Sequence, residues 1–487
     1  MTLADLTSNL SLILPLAWLV GWACALLLVD LFVPIERKGI TAVLAALGLL
    51  IAIGFTLARS GTQAAGFNGM VVVDGFALFL TLLFLGSGLL GIALAHDYLK
   101  RMDIERGEYY SLLLFSLSGM ILMALASDLI IVFLALELLS IPLYVLAAFA
   151  HPRLDSEEAG LKYFLLGAFA TGFVVYGIAL IFGATGSTAL SQIVASIATN
   201  TVTNYSLLLV GAAFILVGLG FKVAVVPFHM WTPDVYHGAP TAVAAFMSVG
   251  AKAAGFAALL RVFITAFPLL DVNFVPLLWG LSALTMIVGN FIAIAQTNIK
   301  RLLAYSSIAH AGYILMAVVP YGKPQIAPDT VAAALFYLLA YAVTSFGAWA
   351  VVIALEKAEG KGLEIGDYAG LGRKHPGLAA AMTVFMLSLT GVPPTLGFVG
   401  KLYLFRTVLA GGFSGLAIIG VLTSLASAYY YLRIVVVMYM QVGEPEVRRE
   451  LWLYLTAGTS AVVTVGLSLF AGPLFAWASQ AMMQMFR

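Results

Sequence analysis

The sequence predicts an all-α polytopic membrane protein of about fourteen transmembrane helices, and three observations carry that prediction. Of the 487 residues, 62% are hydrophobic and only 10% charged, against roughly 25% charged in a soluble domain. So large an apolar surplus cannot be hidden in one aqueous core, and lipid must be the solvent. Second, apolar runs of the ~20 residues needed to span recur near 10–33, 40–58, 73–95, 109–126, 127–149, 158–184, 205–226, 240–265, 274–296, 300–319, 328–356, 376–410, 414–440 and 451–478. Third, loop charge alternates along the chain. One set of loops holds fourteen Lys and Arg, Lys300 and Arg301 among them, and the other holds Arg59, Arg261, Lys323, Arg406 and Arg487. The richer set reads as cytoplasmic, which puts both termini on the outer side and fits an even number of spans.

The remaining composition narrows the function. A net charge of +1 gives no bulk attraction to nucleic acid. A single cysteine, Cys24, excludes an internal disulfide and a cysteine-ligated cluster or zinc site built by this chain alone. The N-terminal stretch lacks the basic residues of a cleaved signal peptide. No loop is long enough for a soluble domain, and residues 185–204, which carry no charge, read as a short outer-face excursion.

Two runs look interrupted. Residues 376–410 are too many for one straight span and hold Pro393 and Pro394, so this helix is predicted to break inside the membrane. The run ending at Pro227 continues through His229 and Trp231 to Pro233, and should break likewise. Backbone groups freed by such breaks must face protein or a water-filled cavity.

Loops absorb nineteen of the 24 Lys and Arg, leaving Lys162, Lys222, Lys252, Lys401 and Arg433 inside spans, with Glu137 as the one acid near a span centre. An ammonium at the bilayer centre costs at least ~2.5 kcal/mol, so four lysines are expensive as mere packing. Burial lowers a lysine pKa and a nearby carboxylate raises it. A carboxylate that approaches or leaves an amine therefore switches its hold on a proton. Arginine stays charged, and Arg433, near a helix end, suits a structural or snorkelling role. Lys162 also lies near an end, where snorkelling competes with a relay role. Lys252 sits among small residues that let helices approach closely. Polar residues line single helix faces: Ser306, His310 and Tyr313; Tyr337, Tyr341 and Thr344; Thr423, Ser427 and Tyr430. Either ordinary interhelical bonding or a wettable path explains them, and His310 can carry a proton near neutrality. His229 and His237 sit at or beyond the seventh-span break, where a surface position fits, and His96, His151 and His375 fall in loops.

Five stretches resemble one family. GFKVAVVPFHMWTPDVY at 220–236 is similar to the signature of the antiporter-like subunits of respiratory complex I. LKYFLLGAF at 161–169, SVGAKAAGF at 248–256, AYSSIAHAGY at 304–313 and LSLTGVPPTLGFVGK at 387–401 resemble subunit N in particular. The likeness covers nearly the whole chain, with the motifs in order. It implies three leading helices within 1–100 and two inverted five-helix repeats at 101–265 and 266–442, with broken helices 7 and 12. A last helix follows within 443–487. It implies that Glu137 pairs with Lys222, and that Lys162 and Lys252 pass protons toward Lys401. Lysine rather than glutamate at position 401 favours subunit N over subunit M. His237 departs from the family, which usually has glutamate there.

The function this implies is proton translocation within a bacterial NADH:quinone oxidoreductase, with no redox chemistry on this chain. NAD, FMN, iron–sulfur clusters and quinone are expected on other subunits. The implied partners are subunit M, the small subunits A, J and K, and lipids, in the inner membrane with both termini periplasmic. A subunit of a sodium/proton antiporter is the alternative, since such subunits share the lysine sites. An intramembrane glycosyltransferase ranks below both, for want of an acidic or metal-binding cluster.

Overall fold

The computed structural model describes residues 3–34, 37–357 and 360–485, so Arg487, counted above among the outer loop charges, lies outside the described residues. Helices α1 (Leu3–Leu12), α2 (Leu14–Asp30) and α3 (Gly39–Leu57) open the chain. A small antiparallel ribbon, β1 (Ala64–Gly66) with β2 (Val71–Val73), was not legible in the sequence. Next come α4 (Gly75–Arg101), α5 (Glu108–Leu125), α6 (Leu129–Ala147) and α7 (Leu154–Thr185). The uncharged excursion contains a short helix, α8 (Leu190–Ala198). The middle of the chain forms α9 (Tyr205–Val223), α10 (Trp231–Gly238), α11 (Thr241–Phe246), α12 (Lys252–Ala266), α13 (Asp271–Ile294), α14 (Ile299–Val318) and α15 (Ala327–Leu355). A single π-helical turn, Met247–Ala251, joins α11 to α12. The chain closes with α16 (Leu371–Lys374), α17 (Pro376–Thr390), α18 (Leu396–Ala410), α19 (Ser414–Met440), α20 (Leu451–Leu469) and α21 (Ala471–Met485).

Short polar residues start many of these helices. Asp74, Asp128, Asn204, Asn298 and Thr395 each accept a hydrogen bond from a first-turn amide, satisfying donors that a helix N-terminus leaves orphaned. Among the described residues, eleven helices are long and apolar enough to cross a membrane, with α2 and α17 apolar but shorter. The protein is therefore a multi-pass helical membrane protein. α14 is not one of the eleven, because Lys300, Arg301 and His310 interrupt its apolar character.

Burial separates centre from rim. The hydrophobic window of Thr241–Ala266 is wholly buried and that of α15 nearly so, whereas most of α7 is exposed. Phe164, Phe169 and Tyr176 on α7 are all exposed, as lipid-facing side chains would be. The site described below lies where the most buried helices meet.

Arg261 corrects the loop-charge reading. It is buried inside α12, and its Nη1 and Nη2 donate to Asp74 at 2.6 and 3.1 Å. Nη2 also donates to Ala124 O at 2.7 Å, and the guanidinium lies 4.7 Å from the Phe76 ring centre. The pair ties α12 to the N-terminus of α4 and the C-terminal end of α5. Arg433 on α19 donates to Ile294 O at 3.2 Å and to Gln296 O. It caps the C-terminal end of α13, where exposed carbonyls attract a cation, in keeping with a structural role.

Candidate functional site

Each of the two helix interruptions exposes backbone groups and supplies partners for them. α9 ends on Ala224 in a left-handed conformation, φ +62°, and the chain passes Pro227 before α10 begins at Trp231. Trp231 Nε1 donates to Phe221 O at 3.0 Å, and the Val226 amide donates to Thr285 Oγ1 of α13 at 2.9 Å. The second interruption, with Pro393 and Pro394, separates α17 from α18. Its Gly391 has φ +90°, and a Cβ there would stand 2.9 Å from Lys401 Cδ. Gly391→Ala is therefore strained twice, by ~1–2 kcal/mol of backbone conformation and by collision with the lysine. We expect this variant to lower both thermal stability and coupled turnover of the assembled enzyme; a melting point equal to that of the wild type would contradict the expectation.

Lys222 occupies the last turn of α9 and is 4% exposed. Its Nζ donates to Ser140 Oγ at 2.8 Å and to Tyr163 OH at 2.9 Å. Tyr163 is itself held by stacking on Trp231, with ring centres 4.6 Å apart. The direct pairing of Glu137 with Lys222 implied by the resemblance is absent from this conformation. Glu137 is half-buried and accepts from Thr171 Oγ1 at 2.7 Å, while the ammonium rests on Ser140, one helical turn along α6. Both hydrogen-bond partners of the Lys222 amine are neutral hydroxyls.

Lys252 follows the π turn and is 2% exposed. It donates to Ser307 O on α14 and lies 5.8 Å from the Tyr341 ring centre. Lys401, 4% exposed on α18, donates to Thr390 O and Ser424 Oγ, both at 2.8 Å, and sits 4.7 Å from the Tyr313 ring centre. Thr390 is the last residue of α17, so the break itself provides the carbonyl that receives the amine.

His310, buried on α14, faces both Lys252 and Lys401. Its Nδ1 is 2.6 Å from Tyr337 OH and its Nε2 is 3.1 Å from Tyr431 OH, which in turn meets Ser306 Oγ at 2.5 Å. Tyr313 OH donates to Thr423 Oγ1 at 3.2 Å and accepts from Asn290, whose Oδ1 accepts from Tyr430 at 2.9 Å. Ser306, His310, Tyr313, Tyr337, Thr423 and Tyr430, grouped by helix face in the sequence, thus converge with Asn290 and Tyr431, which the periodicity did not single out, whereas Thr344 and Ser427 bond to Ser388 and Ser424.

Lys162, for which the sequence leaves snorkelling and relay roles open, has a side chain 41% exposed that pairs with Glu158 at 2.7 Å and Asp234 at 2.9 Å. Asp234 also receives Arg301 at 2.9 Å, so two acids on the chain's surface balance two cations. Lys300, assigned above to a loop, is buried and donates to Ala239 O at 2.8 Å. His229 is likewise buried rather than on the surface. Outside the spans, burial together with Arg449 and Lys374 holds His375 below the ordinary imidazole range, and the Lys357 ammonium, 2.9 Å away, draws Glu446 below the ordinary carboxylate range.

Three buried amines with only neutral partners, arrayed beside a histidine and several tyrosines, can exchange protons without leaving an ion pair broken. Known proteins share this architecture. Residues 126–427 match the family described as NADH:quinone oxidoreductase/Mrp antiporter, TM. NADH-quinone oxidoreductase subunit N of Chloroflexus aggregans is 50% identical over 473 residues, covering 96% of both chains. Its counterpart in Trichlorobacter lovleyi is 48% identical over 460 residues, 94% of this chain and 93% of the relative. A chain of respiratory complex I from Thermus thermophilus with bound aureothin superposes with a TM-score of 0.82 at 38% identity, over 95% of this chain and 98% of that one. A chain of the Mrp complex from Dietzia sp. shares the fold, with a TM-score of 0.85 at 22% identity over 99% and 97%. On these grounds the chain belongs to the NADH:quinone oxidoreductase/Mrp antiporter membrane-subunit family, and within it to the subunit N group of NADH-quinone oxidoreductases.

Proposed function

We propose that this chain translocates protons as a membrane subunit of a bacterial NADH:quinone oxidoreductase, driven by quinone reduction elsewhere in the complex. The observation that carries the proposal is the set of three buried ammonium sites, Lys222, Lys252 and Lys401, each resting on hydroxyl or carbonyl oxygens rather than carboxylates. Charge in such a site has no carboxylate in direct contact and is given up readily when the local field changes.

In this reading the Glu137–Lys222 pair opens and closes. The separate partners of Glu137 and Lys222, Thr171 for the one and Ser140 and Tyr163 for the other, are what an open pair would have. Closure would bring the carboxylate to the amine and tighten its hold on a proton, and reopening would release that proton toward Lys252, His310 and Lys401, then to the outer side. Moving one charge through about 100 mV is worth ~2.3 kcal/mol, and the making or breaking of a partly buried pair supplies energy of that order. Lys162, balanced by two acids at the rim, acts as a fixed charge near the entrance to this line.

The eleven long helices, with α2, α14 and the interrupted α17–α18 added, would make fourteen spans. Spans four to eight and nine to thirteen then form two repeats. The fourth member of each is the interrupted one, α9–α10 in the first and α17–α18 in the second, a correspondence that supports inverted repeats. The loop-charge bias supports a cytoplasmic position for the basic loops and periplasmic termini. Subunits M, A, J and K and lipids are the proposed neighbours, and NAD, FMN, iron–sulfur clusters and quinone reside on other subunits. The antiporter alternative has weaker support, because its structural likeness rests on fold alone.

The test uses Glu137→Gln and Lys222→Met in the assembled enzyme, with proton uptake by inside-out vesicles as the readout. We expect both variants to lose most translocation; unchanged pumping in both would overturn the proposal.

A further inference from the structure

A buried carboxylate and a buried amine face each other without forming an ion pair at the basic-loop end of the bundle, away from the line of amines. Glu356 terminates α15 and is 1% exposed. Its Oε1 accepts from Tyr98 OH at 3.4 Å, whereas Oε2 makes no hydrogen bond to protein. Lys300, in the first turn of α14, is 3% exposed and commits one N–H to Ala239 O. Glu356, Arg153 and Asp155 are the charged groups that face it. Buried Tyr368 OH, beside Glu356, and buried Thr241 Oγ1 also lack protein partners, as does Nδ1 of half-buried His237, which faces Lys300, Arg301 and Asp155.

Packing alone gives no account of this cluster. A carboxylate with an idle oxygen costs stability in a dry interior, and a buried ion pair repays its desolvation only when its geometry is closed. Here each group has a neutral partner instead, Tyr98 OH for the carboxylate and Ala239 O for the amine. The cluster also connects to the relay. Seven residues along α14 from Lys300, on the same face and about 10 Å further into the membrane, Ser307 presents the carbonyl that holds Lys252. Buried Tyr236 of α10 lies near the Ser307 side chain, whose Oγ is buried and makes no hydrogen bond.

We infer that Glu356 and Lys300 form a proton-loading site on the cytoplasmic face of this subunit, feeding Lys252 along α14. The inference rests on the relay and orientation proposed above. A proton from cytoplasmic water forms the O–H bond of Glu356. That bond breaks as the neutral Lys300 amine is protonated. Lys300 then loses its proton to the free amine of Lys252, along the α14 face that carries Ser307. Only a proton and its charge move, and no other reactant is consumed.

Glu356→Gln keeps the acceptor facing Tyr98 but cannot titrate. Lys300→Arg keeps the charge and the bond to Ala239 O but does not release a proton. In vesicles carrying the whole enzyme, both variants should slow proton translocation by about tenfold or more, with NADH oxidation by a water-soluble acceptor unchanged. Glu356→Asp, which retains a titratable carboxyl, should restore most of the rate. Wild-type translocation in either Glu356→Gln or Lys300→Arg overturns the loading site, and should one fail to assemble, the other decides. Lys222→Met and Glu137→Gln separate the two readings: their failure to pump beside a normal Lys300→Arg removes the loading site alone, whereas normal pumping in both removes the relay itself.

Discussion

Replacing Lys401 with methionine is expected to reduce proton translocation by the assembled enzyme about 10²-fold, the scale on which a missing acid–base group acts. The structure separates this loss from a folding defect. Thr390 O still accepts from Ser424 Oγ at 3.1 Å when the lysine is gone, so the broken end of α17 keeps a partner. Methionine fills nearly the same space and tolerates irregular surroundings. Lys401→Arg provides the sharper comparison. Arginine preserves the positive charge over the Tyr313 ring but holds its proton throughout the physiological range. If the amine matters as a carrier, the arginine variant fails as thoroughly as the methionine variant; if only its charge matters, arginine restores pumping and the carrier role is wrong. Proton uptake measured alongside quinone-linked NADH oxidation distinguishes these outcomes.

Severing the Arg261–Asp74 pair is expected to have the largest effect on stability. Either single neutral replacement leaves the opposite charge buried, at a cost of about 3–5 kcal/mol. Both side chains are only 4% exposed, and the guanidinium also serves Ala124 O, so water has little access to the stranded partner. Asp74→Ala should therefore assemble poorly, and Arg261→Met no better. The double variant removes both charges and should recover much of the loss. Thermal unfolding of the three variants in detergent forms a double-mutant cycle. Strict additivity in that cycle would show that the two residues act independently.

The sequence exposed the parts of this site that depend on chemical contrast. A lysine within an apolar run stands out by composition alone, so Lys222, Lys252 and Lys401 were legible before any coordinates. The interruptions were legible from Pro227, Pro393 and Pro394, because proline removes a donor and clashes with the preceding turn. What escaped was direction. In a soluble helix a polar face marks solvent, but here lipid and protein interior are equally apolar, and the helix faces carry little contrast. Position near a helix end hinted at snorkelling for Lys162, but the sequence did not reveal that it turns outward to Glu158 and Asp234 while Lys222 turns inward to Tyr163. Helix boundaries escaped for a related reason. Lys300, Arg261 and Glu356 lie within a few residues of an end, where a shift of one turn converts a solvated loop charge into a buried one. Direct closure of Glu137 on Lys222 was beyond reach altogether, because it depends on the rotamer and state of the bundle.

The π turn at Met247–Ala251 gives one such direction a simple origin. A single surplus residue wound into an α-helix produces a bulge of this kind, and each residue turns a helix by about 100°. Everything after Ala251, beginning with Lys252, is therefore rotated by more than a quarter turn relative to an uninterrupted α11. The azimuth at which this amine meets Ser307 is governed by how many residues precede it, so trimming one of them would swing Lys252 off its carbonyl while leaving every side chain in the neighbourhood chemically intact.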